Sequence, residues 1–251
     1  MNLALNNKIV LITGGTGGIG SQIIQDFLVE EAIVICLGRN EAKMQELSLS
    51  FNENKLKTEN LYFFACDLFD YDDMKNTIQQ INQKFSRIDI LVNCAGFADE
   101  IPFALLNRSQ IDKMIDLNFK SPIYLTQLVL KTMFKQKEGN IVNVSSASAI
   151  KKGRGIVVYA AAKGGIETFT RTLAAEVGRK NIRVNCIRPG IIKSQMSEPV
   201  IERIGSSIKT MTNLERVGNA SEISKMVLII SSNEISSYIT GECITIDGGI
   251  Y

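Results

Sequence analysis

Histidine is absent from all 251 residues. That absence excludes Ser/His/Asp and Cys/His nucleophilic catalysis together with the usual imidazole metal ligands. Acid–base chemistry near neutral pH must then come from a perturbed tyrosine, lysine, cysteine or carboxylate. An excess of one charge is also missing. The 28 basic and 26 acidic residues leave a net charge of +2, so no global field directs the chain to nucleic acid or to a membrane. The five cysteines, Cys36, Cys66, Cys94, Cys186 and Cys243, lie in apolar, strand-like contexts without CxxC spacing, which predicts buried reduced thiols and argues against a disulfide frame or a zinc site. The apolar run near the N-terminus is too short to span a bilayer, and no charged leader with a small-residue cleavage site precedes it; a cytoplasmic protein is expected. Internal repeats, low-complexity tracts and linkers are lacking too. Small-molecule chemistry is left, in a chain whose length and 45% hydrophobic content suit one domain over 1–251.

What is present is an alternation of strands and helices. KIVLIT at 8–13 is an apolar run of strand length, followed by GGTGGIG at 14–20 and a helical pattern over 21–30. A glycine turn between strand and helix lets the backbone approach a pyrophosphate, while the first helical turn offers free N–H groups and a positive dipole end. A second strand is expected at 32–37, followed by Gly38, Arg39 and Asn40. An acid at such a strand end holds ribose hydroxyls, whereas an arginine suits a 2′-phosphate, so Arg39 favours NADP(H), with NAD(H) as the alternative. Further strands are expected at 61–66, with Asp67 placed either to bond an adenine amino group or to cap the next helix, at 88–93, at 182–187 and at 243–246. Two helical pieces over 109–137 should meet near Pro122, with Asn118 either a packing tie or a device that bends the helix and binds water. Residues 191–214 have the mixed pattern of a lid holding short helices. Counting the strand described next, seven strands alternating with helices predict a doubly wound, parallel α/β sheet with helices on both faces.

The stretch IVNVSSASAIKKGRGIVVYAAAKGG at 141–165 bears most directly on chemistry. It opens as a strand and ends as a helix, so Tyr159 and Lys163, four apart, share a helical face. An ammonium beside a phenol favours the phenolate, which predicts a Tyr159 pKa below its ordinary value of about 10. Ser146 at the strand end could place a hydroxyl nearby. Taken alone, the same pair is more readily a half-buried helix tyrosine beside a solvated lysine.

The chain resembles the classical short-chain dehydrogenase/reductase family over nearly its whole length. The resemblance rests on TGGTGGIG at 13–20, NCAG at 93–96, Asn118, Ser146, YAAAK at 159–163, RPG at 188–190 and YITGECITIDGG at 238–249. The glycine motif alone also fits the extended branch of the family; the short chain and the C-terminal match favour the classical one. The resemblance implies a single-domain Rossmann-type sheet and four catalytic residues, Asn118, Ser146, Tyr159 and Lys163. Tyr159 would protonate the nascent alkoxide, Ser146 would bond the carbonyl oxygen, and Lys163 would hold the nicotinamide ribose and depress the Tyr159 pKa. Asn118 would position a water leading from Lys163 to bulk solvent. The cofactor would be lined by Gly14, Thr16, Gly18, Ile19, Gly20, Arg39, Asp67, Leu68, Asn93, Ala95, Gly96, Tyr159, Lys163, Pro189, Gly190, Ile192 and Ser194. Three residues between Tyr and Lys favour a carbonyl/alcohol reaction over reduction of C=C. The tail and ERVG at 215–218 most resemble 3-oxoacyl-[acyl-carrier-protein] reductases, which implies an NADPH-dependent ketoreductase acting on an acyl thioester. An acyl carrier protein would dock on Lys137 and Lys180 near the active-site mouth, and the assembly would be a homotetramer. The competing readings are a dehydrogenase of a free secondary alcohol, polyol, sugar or steroid, and a non-catalytic cofactor-binding or scaffolding protein.

Overall fold

The computed structural model describes residues 2–53 and 56–250. In chain order the elements are β1 (Ile9–Thr13), α1 (Gly18–Val29), β2 (Ile33–Gly38), α2 (Glu41–Glu53), β3 (Leu61–Ala65), α3 (Tyr71–Phe85), β4 (Ile90–Asn93), α4 (Arg108–Ile115), α5 (Ser121–Gln136) and β5 (Gly139–Val144). They continue with α6 (Val157–Val177), β6 (Ile182–Pro189), α7 (Glu198–Ile204), α8 (Ile208–Met211), α9 (Ala220–Ser231), α10 (Asn233–Ser236) and β7 (Cys243–Ile246). The expected seven strands form one sheet in the order β3-β2-β1-β4-β5-β6-β7, and every neighbouring pair is parallel. The fold is a Rossmann-type doubly wound sheet.

Strand residues of β1 alternate between two apolar layers, because successive side chains point to opposite faces. Val10 and Ile12 join Ile23, Ile24 and Phe27 of α1 and Ile223 and Val227 of α9. Ile9 and Leu11 join Ile78 and Ile81 of α3, Val129 and Met133 of α5, and Val177 of α6. Burial on both faces explains why these strands read as unbroken Val/Ile/Leu runs. The winding reverses between β1 and β4, and the Thr13 hydroxyl bridges that point. Its Oγ1 accepts the amides of Cys94 and Ala95, each at 3.1 Å.

Three local details differ from expectation, each for a physical reason. The first helix starts at Gly18, three residues early, because a turn without Cβ atoms can fold onto Gly14: a Cβ on Gly20 would lie 2.2 Å from the Gly14 carbonyl oxygen. Asp67 does not cap α3. Asp70 does, accepting from the amides of Asp72 and Asp73 at 2.9 and 3.1 Å, since it immediately precedes the first helical residue and has extended backbone. The third difference lies between α4 and α5, where the junction is a π turn, Asp116–Lys120, upstream of Pro122. Pro122 sits in the first turn of α5 and cannot donate to the Asn118 carbonyl, so the backbone bonding shifts register just before it. Residues 191–214 carry α7 and α8 as short helices joined by a 3₁₀ turn, in keeping with their weak periodicity. The four-residue α10 was not anticipated, being too short to show a period.

The capping assignment is tested by urea unfolding. Asp70→Ala should cost about 1 kcal/mol of stability, and Asp67→Ala well under half of that.

Candidate active site

The C-terminal ends of β1, β4, β5 and β6 meet around the switch point, where a parallel sheet leaves a crevice for ligands. On the β1 side, Gly14 has φ +74°, and a Cβ there would meet the Ala95 Cα at 2.7 Å. The turn is thus pressed against the NCAG segment, and Gly14 and Gly20 both have steric reasons to lack a side chain. Gly17 precedes α1 with extended backbone and no side chain caps the helix, so its first-turn N–H groups face the crevice without a built-in acceptor. From the segment after β6, Ser194 reaches this turn: a Cβ on Gly18 would lie 2.8 Å from the Ser194 Cβ.

The π turn explains where Asn118 points. Its Nδ2 donates to the carbonyls of Met114 and Phe97 at 3.0 and 2.8 Å, which fixes the amide and leaves Oδ1 buried and unpartnered. Asn118 is therefore both a tie and part of a helix irregularity. Gly96 faces this oxygen; a Cβ there would lie 2.6 Å from Asn118 Oδ1 and 3.3 Å from Lys163 Nζ. Lys163, at 4% exposure, donates from Nζ to the Val144 carbonyl at 2.8 Å and stands 5.7 Å from the Tyr159 ring centroid. Ser146 accepts at Oγ from the Ser148 amide and hydroxyl at 3.2 and 2.9 Å, which leaves its own proton free on the side of the neighbouring Tyr159.

The electrostatics correct one expectation. Tyr159 is pushed above, not below, its ordinary pKa of 10.0: burial penalises the phenolate most, and the neighbouring Ser146 hydroxyl opposes this only in part. Lys163 is lowered by its own burial and directs its ammonium to a carbonyl, so in the resting protein it does not offset the desolvation of its neighbour. Cys94, beside this pair, is pushed up to about 11 by burial, with Lys163 opposing.

The remaining expected residues fall into two groups. Arg39 follows β2 with its Nη1 3.8 Å from Asp67 Oδ1 and its guanidinium 5.4 Å from the Phe69 ring centroid, so Arg39 and Asp67 stand together on the crevice rim. Asn93 is held inside the sheet, donating to Thr126 Oγ1 and Asn143 Oδ1. Leu68 and Ile192 are buried, Thr16 is exposed and Ile19 half-buried, and Gly190 donates to the Ile246 carbonyl at 2.9 Å. Lys137 and Lys180 form the second group. Lys137 ends α5 and Lys180 precedes β6, while the Gly139 amide bonds the Asn181 carbonyl at 3.3 Å. The two lysines therefore flank the N-terminal edge of the sheet, opposite Tyr159, because each just precedes a strand whose far end carries the site. The expectation that they line this chain's own active-site mouth is corrected. Thr13, Ser145, Glu167 and Arg188 pack beside the expected site residues without having been singled out; Thr13, Ser145 and Arg188 lay within quoted stretches, and Glu167 did not.

A family-wide profile described as short chain dehydrogenase matches residues 8–205. The chain belongs to the short-chain dehydrogenase family. It is 34% identical over 248 residues to a 3-oxoacyl-[acyl-carrier-protein] reductase of Thermotoga maritima, covering 99% of both chains. It is equally 34% identical to an acetoacetyl-CoA reductase of an Acinetobacter species, covering 97% of this chain and 98% of the relative. A solved short-chain dehydrogenase/reductase of Brucella melitensis superposes with TM-score 0.92 at 29% identity, over 100% of this chain and 99% of that one. As a short-chain dehydrogenase the chain is an NAD(P)-dependent oxidoreductase of CH–OH and C=O groups. The residues present fit such a dinucleotide: a glycine cradle that a Cβ would fill, an uncapped helix start, and the orphaned Asn118 oxygen. Were such a dinucleotide bound, Gly14, Gly18, Ile19 and Gly20 would face its pyrophosphate, Arg39 and Asp67 its adenosine end, and Lys163, Ile192 and Ser194 its nicotinamide end.

Difference ultraviolet titration of the resting protein against Tyr159→Phe should reveal one phenol ionising above pH 10.0. The sign follows from burial, which favours the neutral form; ionisation below that value would refute the desolvation account.

Proposed function

We propose that the chain is an NADPH-dependent ketoreductase of 3-oxoacyl thioesters, with Tyr159 as the proton donor. The observation that carries this reading is the meeting of Ser146, Tyr159, Lys163 and the unpartnered Asn118 oxygen at the switch-point edge of the sheet. When bound, the reduced dinucleotide supplies a hydride to the carbonyl carbon. Ser146 donates to the carbonyl oxygen and orients it toward Tyr159. A raised phenol pKa keeps Tyr159 protonated at neutral pH, the state required of a donor. Lys163 then faces the ribose and, with its cation, stabilises the phenolate left after transfer. The proton that restores Tyr159 then comes from Lys163, which is reprotonated from bulk solvent through a water held by Asn118 Oδ1. Oriented acid catalysis of this kind contributes about 10²- to 10⁴-fold.

Thioester substrates are favoured by the reductase relatives and by the rim of the site. Ile150, Val157 and Met196 expose apolar side chains around the β5–α6 connection and the lid, which suits an acyl chain. Lys152 and Arg154 are exposed on the same connection; they offer an acidic carrier protein a surface at the mouth that Lys137 and Lys180 do not provide within one chain. The lid is tied across the mouth by Arg203, whose Nη1 lies 2.5 Å from Glu100 Oε2. The chain functions as one catalytic unit, and a homotetramer is the assembly in keeping with the family.

Two measurements test the reading. In steady-state assays with NADPH, acetoacetyl thioesters should be reduced faster than a panel of free ketones, and Tyr159→Phe should lose turnover by at least about 10²-fold while still binding cofactor. Preference for a free ketone would assign the chain to the alcohol, polyol or steroid class; tight NADPH binding without turnover on any carbonyl would return the scaffolding reading. In fluorescence titrations, Arg39→Asp should weaken NADPH binding at least about tenfold, the scale of one charge-assisted contact, and NADH far less; equal losses would show that Arg39 does not read the phosphate.

A further inference from the structure

Glu167 follows Lys163 by one helical turn on α6 and is 3% exposed; Arg188 at the end of β6 is 8% exposed and Ser145 3%. Arg188 grips the carboxylate with both prongs: Nε donates to Oε1 at 2.7 Å and Nη2 to Oε2 at 2.5 Å. Ser145, the neighbour of Ser146, turns its hydroxyl to the same Oε1 at 2.9 Å and to the Lys163 carbonyl at 3.2 Å. The third prong of Arg188, Nη1, donates to Thr245 Oγ1 on β7 at 2.6 Å. On the solvent side Arg171 stands 4.0 Å from Glu167.

A buried ion pair is a poor source of stability, because desolvation of two charges offsets most of their attraction, and well-packed apolar residues often serve a fold as well or better. The arrangement of this pair in space suggests a different role. It adds to the Lys163–Val144 and Asn143–Thr170 hydrogen bonds a tie that reaches three segments at once: the end of β5 that carries Ser146, the turn of α6 that carries Lys163 just beyond Tyr159, and the end of β6 that leads through Pro189 and Gly190 to Ile192. We propose that Glu167 and Arg188 are positioning residues that hold Ser146, Tyr159, Lys163 and the 189–192 loop in one frame, acting through the Ser145 hydroxyl and the Lys163 backbone. Neither side chain touches the reacting atoms. The pair sets the separation between the serine strand and the tyrosine helix, and a misplacement of about 1 Å in such a constellation costs on the order of 10²-fold in rate. The inference rests on the ketoreductase reading of the same site.

The test uses the full-length chain and three variants. Glu167→Gln keeps the shape and removes the charge; Glu167→Asp keeps the charge on a shorter arm; the double variant Glu167→Met with Arg188→Met removes the pair at similar volume without leaving a lone buried charge. Melting temperatures, NADPH affinity, and kcat and KM on the best substrate of the carbonyl panel are compared. The expected result is a double variant that melts no lower than wild type and binds NADPH normally, yet has kcat reduced about 10- to 100-fold with little change in KM. Glu167→Gln should show the same kcat loss with a lower melting temperature, and Glu167→Asp should recover part of kcat. A folded double variant with wild-type kcat overturns the inference alone, as does a kcat loss in every variant that tracks only the fraction unfolded. A wild-type chain inactive on every carbonyl overturns the ketoreductase reading and this inference with it.

Discussion

Parallel pairing of all seven strands is the constraint from which the rest of this molecule follows. A parallel neighbour can be reached only by a crossover, and the crossovers bring helices over both faces of the sheet. Every strand then ends at the same edge, and where the winding reverses between β1 and β4 the connections diverge and leave a crevice. Thr13 marks that divergence, its hydroxyl accepting two amides from the end of β4. The glycine turn, Gly96, Ser146 and the 189–192 loop gather there because of strand direction alone, although they are scattered over 175 residues or more of sequence.

Burial is the second determinant, and it acts against charge. Tyr159 and Lys163 are each driven toward their neutral forms by desolvation, the tyrosine upward and the lysine downward. A simple pairing of ammonium with phenol gives the opposite sign for the tyrosine, because it treats the two groups as though water surrounded them. In the folded protein the ammonium is committed to the Val144 carbonyl, and a protonated phenol at neutral pH is the form that can donate. Two of the buried polar side chains, Glu167 and Arg188, satisfy each other through a two-pronged contact of guanidinium with carboxylate.

Asn118 shows how local irregularity and function share a cause. Pro122 removes a backbone donor four residues later, the helix widens into a π turn, and the Asn118 amide takes up the Met114 carbonyl. The bend and the aimed oxygen are then one feature, where the sequence had suggested a choice between a tie and a bend.

Strand positions, the glycine turn after β1, the short helices within 191–214 and the shared helical face of Tyr159 and Lys163 were legible in the chain, because each depends on neighbours close in sequence: apolar runs bounded by glycine, a four-residue helical spacing, a small-residue strand end. Element boundaries followed cap chemistry, and Asp70 replaced Asp67 as the α3 cap through its backbone conformation, which composition does not display. Lys137 and Lys180 were misplaced because a motif match records position along the chain and not which end of the sheet that position occupies. The sign of the Tyr159 shift, the orphaned oxygen of Asn118 and the contact of Glu167 with Arg188 were decided only by the tertiary structure. Desolvation depends on all the atoms that gather around a group, and Glu167 and Arg188 meet only because α6 is laid against β6.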